Sequence, residues 1–258
     1  MFKFLIILLA VVLIMLSVFP LFSIIFKTNP SILFETLKDK EFLNAIYVTV
    51  MAAFCSTLIS ILLGIPFSYV MARYHFPLKG LIEALVDIPQ ALPHTVAGIA
   101  LIMVVGRNFM IGQTFSKFGV GFVNTFLGVI LAMWYVSFSI FVNAVKEGFR
   151  GLDERYERVA RSLGLSFTQT FFKVSIPMVK REIVSGAIQM WARAISEFGA
   201  IAILAYYPKT VSILAYDRFQ GFGLSSALGV TALVIIIFGS LFTVLRFIED
   251  RWKRSESR

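Results

Sequence analysis

Apolar residues run along this chain in long unbroken blocks rather than at the three-to-four-residue spacing of an amphipathic soluble helix. Four blocks, residues 4–26, 42–72, 118–145 and 219–245, contain no Asp, Glu, Lys or Arg. A helix needs about 20 residues to cross the roughly 30 Å of a bilayer's hydrocarbon. Each block is therefore predicted to be a membrane span. Two further stretches are apolar over the same length but interrupted: 81–106 carries Glu83, Asp87, Pro89, Pro93 and His94, and 183–206 carries Arg193 and Glu197.

Loop charges decide whether those two cross. With six spans near 4–26, 43–72, 82–106, 122–145, 183–206 and 222–246, sixteen Lys and Arg fall on one face and seven on the other, leaving Arg193 inside a span. Omitting either interrupted stretch scatters the positive loops over both faces. The positive-inside rule thus predicts an all-α integral membrane protein, one transmembrane domain over 1–258, with six helices and both termini cytoplasmic. Lys3 precedes the first block as it would a signal peptide, but the block is too long for one and no Ala-x-Ala pattern follows. It reads as an uncleaved span.

Composition narrows the classes. The chain is 58% hydrophobic and 15% charged, with a mean hydropathy of +0.84, against roughly a quarter charged residues in a soluble domain. A soluble enzyme, a nucleic-acid binder and a disulfide scaffold are excluded on this ground. The net charge of +9 sits mostly between apolar blocks, where it signals topology. Cys55 is the single cysteine, so no intrachain disulfide forms. With two histidines beside it, no metal site is expected.

Residues 146–182 form the longest hydrophilic stretch, and it is patterned. Asp153 can cap a helix in which Tyr156, Val159, Ala160 and Leu163 share one face, with Gly164 as the left-handed residue that ends it. Ser166 and Gln169 make a capping box that starts a second short helix to about Val174, before Pro177. From pattern alone an amphipathic helix lying on the headgroups is an alternative.

The run Glu157-Arg158-Val159-Ala160-Arg161-Ser162-Leu163-Gly164, then nine residues, then Val174-Ser175-Ile176-Pro177, resembles the EAA loop of permease subunits of ABC importers. That pattern is Glu-Ala-Ala, three residues, Gly, nine residues, Ile-x-Leu-Pro. Alignment on Gly164 and Pro177 puts Arg158 at the pattern's Glu, Val159 at its first Ala and Ala160 at its second, so the Glu is displaced or missing. Residues 93–101 (Pro-His-Thr-Val-Ala-Gly-Ile-Ala-Leu) and 195–200 (Ile-Ser-Glu-Phe-Gly-Ala) look like the permeases of molybdate and tungstate importers, with sulfate permeases the nearest relatives. The resemblance implies a type I ABC importer permease fold and a homodimer in the cell membrane of a bacterium or archaeon. It also implies two ATP-binding cassette subunits at the 146–182 coupling loop and an external binding protein that delivers an oxyanion. Another small-solute ABC permease, sulfate and thiosulfate included, is the alternative.

The chain has no Gly-x-x-x-x-Gly-Lys-Ser/Thr loop, so ATP and Mg belong to a partner ATPase and no cofactor is expected in this chain. A passive anion channel would lack the loop too. An intramembrane enzyme built on Asp87, His94, Arg193 and Glu197 is a third class, although no Gly-x-Ser-x-Gly elbow accompanies it.

Ionisable residues inside a span face a partner or a watery path. Arg193 and Glu197, four apart, are predicted to share a helix face, either as a buried pair that fixes packing or as part of a gate with Ser196, Phe198 and Gly199. Pro89 and Pro93 are predicted to bend or break the third span, as a packing kink or as a break lining the path. His94 follows the second proline, where it can contact an oxyanion or bridge two helices. Asp87 reads as a snorkelling or helix-end residue. Outside, 27–41, 107–117 and 207–218 would meet the binding protein.

Overall fold

A computed structural model describes residues 2–255, and among these no strand occurs. In chain order the helices are α1 (Phe2–Lys27), α2 (Pro30–Lys38), α3 (Lys40–Arg73), α4 (Lys79–Ala91), α5 (His94–Val105), α6 (Met110–Ser116) and α7 (Phe126–Gly151). They continue with α8 (Arg155–Ser162), α9 (Phe167–Thr170), a π-helical turn (Phe171–Ser175), α10 (Ile176–Met178), α11 (Lys180–Ile195), α12 (Gly199–Leu204), α13 (Val211–Phe222) and α14 (Leu224–Ser255).

Four of these, α1, α3, α7 and α14 (as Leu224–Ile248), are long and apolar enough to cross a membrane; α4 with α5 makes a fifth if the bent pair counts as one span. The chain divides into two compact units. One consists of the described parts of Met1–Ile46 and Lys209–Arg258. There α13 and α2 pack on α14, and α1 lies against α14. Its core is Phe42, Ala45, Val211, Leu214, Val230 and Leu233. Helix α1 buries no side chain at all, which suits a segment solvated by lipid rather than water.

The other unit is Tyr47–Pro208, organised around α7. Helices α11, α12 and α4 all pack on α7, whose Val129, Met133, Val136, Phe141, Val145 and Phe149 are buried. Small residues let the helices approach, as expected where lipid is no less apolar than the helix faces. Ser56 and Ser68 of α3 donate to the carbonyls of Ile130 and Val142 on α7 at 2.9 Å each.

The sequence expectation holds in part. Residues 82–106 are broken as expected and do not form one straight helix: α4 and α5 meet at 113°. The break lies at Leu92 and Pro93, not at Pro89, which sits buried inside α4. Leu92 is extended (φ −75, ψ 149), the conformation favoured before proline, and Pro93 brings no N–H to carry the α4 ladder onward. Residues 183–206 are likewise divided, with Ser196, Glu197 and Phe198 between α11 and α12. The helix expected from 122 begins at Phe126, capped by the Thr125 hydroxyl, and runs past Val145 to Gly151, so six residues given to the hydrophilic loop continue a helix. Residues 27–41, 107–117 and 207–218, expected outside, contain α2, α6 and most of α13.

Candidate functional site

The two interrupted stretches come together, because α5 and α12 pack on one another. A Cβ on Gly199 would lie 2.7 Å from the His94 Cβ, and one on Gly98 would lie 2.8 Å from the Ile203 Cβ, so glycine permits the approach. At this crossing His94 Nε2 lies 2.6 Å from Arg193 Nη2, and His94 Nδ1 lies 3.1 Å from Glu197 Oε2. Arg193 Nη2 is also 3.2 Å from Glu197 Oε2. A guanidinium only donates, so Nε2 accepts from Arg193 and Nδ1–H donates to Glu197; this network assigns the tautomer.

Glu197 is the buried member, with its side chain 1% exposed, while those of His94 and Arg193 are 32% and 26% exposed. Its other oxygen accepts from the Ala200 N–H at 2.8 Å, which satisfies an orphan donor of the first turn of α12. A buried carboxylate with these partners meets the condition for a charge inside a protein. Ser196 is exposed; its hydroxyl receives Arg193 Nη1 at 3.2 Å and donates to the Arg193 carbonyl at 2.9 Å. Phe198 and Gly199 are half-buried at the restart of the helix. All six residues singled out for the path thus lie where the start of α5 meets the break between α11 and α12.

A polar seam between α4 and α7 extends from this region. Gln90 accepts from Ser139 at 3.0 Å and Asp87 accepts from Asn143 at 2.6 Å. Glu83 pairs with Lys146 at 3.5 Å and with Arg150 at 2.7 Å. Asp87 is therefore an interhelical contact. The signal was present as two matching stripes, Glu83, Asp87 and Gln90 against Ser139, Asn143, Lys146 and Arg150, each at helical spacing.

At the loop, Asp153 Oδ1 accepts the Arg155 N–H at 2.8 Å and opens α8. Gly164 has φ +91, the left-handed region in which a Cβ is strained, and the Ser166–Gln169 capping box is formed. The face turned inward differs from the expectation. Of Tyr156, Val159, Ala160 and Leu163 only Ala160 is buried; the other three are 54%, 56% and 76% exposed. Glu157, which lies off that apolar face by helical spacing, is 4% exposed. Its carboxylate meets Tyr69 Oη (2.9 Å), Arg73 Nη2 (3.0 Å) and Ser175 Oγ (2.9 Å). Four donor atoms, counting Arg73 Nε at 3.2 Å, make that burial tolerable, and they turn the helix. Arg158, at the pattern's Glu, is exposed and pairs with Glu154 at 3.3 Å. Val174 lies in the π turn, Ile176 opens α10 and packs on the core of this unit, and Pro177 follows it in α10.

Residues 64–254 match the family described as binding-protein-dependent transport system inner membrane component. The chain belongs to this family. Among curated relatives, the permease is 41% identical over 92% of its length to the Molybdate/tungstate transport system permease protein WtpB of Methanocaldococcus jannaschii, covering 93% of that protein. It is 38% identical over 87% of its length to the protein of the same name from Thermococcus kodakarensis, covering 85% of it. Among solved structures, a bacterial alginate ABC transporter in complex with its alginate pentasaccharide-bound periplasmic protein matches with a TM-score of 0.77 at 12% identity. That match covers 100% of this chain and 96% of the other. The fold is that of ABC importer permeases, and the permease is a transport subunit rather than an enzyme.

Proposed function

We propose that this permease is the membrane subunit of an ATP-driven importer of molybdate or tungstate that receives its anion from an external binding protein. The observation that carries the reading is the 41% identity to a molybdate/tungstate permease across nearly the whole of both chains. In this reading two copies form a homodimer with six crossings each and both termini cytoplasmic. The bent α4–α5 pair and the divided α11–α12 pair supply the crossings beyond the four long helices. The loop charges support that orientation. Two ATPase subunits, which hold ATP and Mg, seat on the outward Tyr156 and Val159 of α8 and on Leu163 just past its end.

The chemistry of the His94–Arg193–Glu197 network supports a path lined for an oxyanion. Arg193 offers a planar fork of donors matched to tetrahedral oxyanions. Glu197, already paired with it, competes with any arriving anion. That competition keeps residence short, which suits a conduit more than a storage site. Each turnover then exchanges Glu197 for the anion at the Arg193 donors and restores the pair behind it.

The test is reconstitution of the permease with its ATPase in vesicles, with the binding protein outside and molybdate, tungstate and sulfate as solutes. Uptake of molybdate or tungstate should require both ATP and the binding protein, while the permease alone hydrolyses no ATP. Anion flux without ATP would make it a channel, and a stronger response to sulfate would overturn the substrate assignment.

A further inference from the structure

Helix α8 spans only eight residues, too short to hold its own conformation in water, so its orientation is set by what it buries. Two of its side chains are buried, Glu157 and Ala160. Ala160 is a methyl group; Glu157 makes the directional contacts. Its Oε2 accepts from Tyr69 and its Oε1 from Arg73 and Ser175. One carboxylate thereby joins the cytoplasmic end of α3, the loop helix, and the π turn that leads to α11. The Tyr69 ring meets Phe149, Phe171 and Phe167 edge-on, with centroids at 5.2, 5.0 and 6.0 Å, which excludes water from the junction.

We propose that Glu157 is a positioning residue that latches α8 to α3, so that displacement of the loop helix by the ATPase is carried directly into the second span. This rests on the ATP-driven reading above. A buried ion pair is weak evidence for stability, since apolar replacements of similar size often serve as well; what it supplies is a single geometry. Coupling between distant sites travels through such contiguous contacts. Arg73 and Tyr69 lie one turn apart on α3, so the carboxylate grips that helix at two points. Its partners leave it facing inward, while Tyr156 and Val159 of the same helix, and Leu163 at its C-terminal cap, face out. Docking and transmission are thus divided between the two faces of α8.

The test uses the permease–ATPase complex in vesicles with its binding protein and molybdate. Glu157→Gln should still copurify the ATPase and hydrolyse ATP, but the molybdate moved per ATP should fall by about tenfold, a usual size for coupling between two sites. Arg73→Gln with Glu157→Gln removes the uncompensated charge; it should assemble at wild-type yield and remain uncoupled. Spin labels at Arg155→Cys and His75→Cys, in a Cys55→Ala background, should give a narrow distance that holds through the ATP cycle with Glu157 present and a broad one in Glu157→Gln. A wild-type transport ratio in the double variant overturns the latch. Loss of the ATPase from an otherwise folded Glu157→Gln permease also overturns it, because Glu157 would then be a docking contact. Failure of the parent complex to show ATP-dependent uptake would instead refute the importer reading, so the two failures are separable.

Discussion

His94 Nδ1 stands 3.1 Å from the buried Glu197 Oε2, joining the first residue of α5 to the break between α11 and α12. Because Arg193 bonds to both, the three side chains form one unit, and changes in them are not expected to add.

Loss of a single member leaves a charge without its partner. Arg193→Met and Glu197→Leu should each lower stability by about 3 to 5 kcal/mol, while the double variant regains most of it. Thermal unfolding of the purified permease measures this. If the network lines the path, the double variant assembles and fails in binding-protein-dependent uptake; wild-type uptake by the double variant would reduce the network to packing.

Gly164, at φ +91 with no neighbouring atom within 4 Å of where a Cβ would stand, is limited by backbone conformation and not by space. Gly164→Val should cost about 1 to 2 kcal/mol locally and disturb the turn between α8 and α9. Membrane insertion should be unchanged, while uptake per ATP hydrolysed falls. Gly164→Asn, which tolerates the left-handed region better, should recover much of the loss.

The Asp87–Asn143 bond predicts an asymmetry. Asn143→Leu strands the Asp87 carboxylate and should destabilise the permease by about 1 to 3 kcal/mol, whereas Asp87→Leu combined with Asn143→Leu should be milder. Unfolding temperatures of the two variants in detergent decide it; equal losses in the single and the double variant would mean that the seam contributes little.

Outside the spans, charge sets a pH window. Burial pushes the Asp39 carboxyl up, but the backbone N–H of Glu41 and the Arg218 guanidinium outweigh it and hold the group below its ordinary value. Hydrogen bonds from Lys209 to Asp217 and Glu41 raise the lysine above its own. A lowered carboxyl lends stability that is full above its unfolded pKa and lost as pH falls through the folded one. A raised amine lends stability that is full below its unfolded pKa and lost as pH rises through the folded one. Both contributions should therefore hold between about pH 5 and 9, with an acid loss starting near pH 4. Melting curves across that range should show the acid limb flatten in Asp39→Asn.

The sequence by itself determined what depends on near neighbours: the long apolar blocks, the Ser166–Gln169 capping box and the left-handed Gly164; Arg193 and Glu197 do pair, but with Glu197 in the break after α11 rather than on its helix face. The first three follow from helical period, caps and backbone sterics, all of which act within a few residues. Tertiary structure decided the rest. His94 reaches Arg193 across 99 positions only because Gly98 and Gly199 let two helix fragments touch. Pro93, not Pro89, broke the third stretch, since Leu92 before it takes the extended conformation that a following proline favours, while Pro89 stays buried inside α4. Glu157 turned inward against the pattern of its own helix because Tyr69, Arg73 and Ser175, contributed by other elements, supply the donors that repay its desolvation. Which face of a short helix is buried is set by partners that its own sequence does not contain.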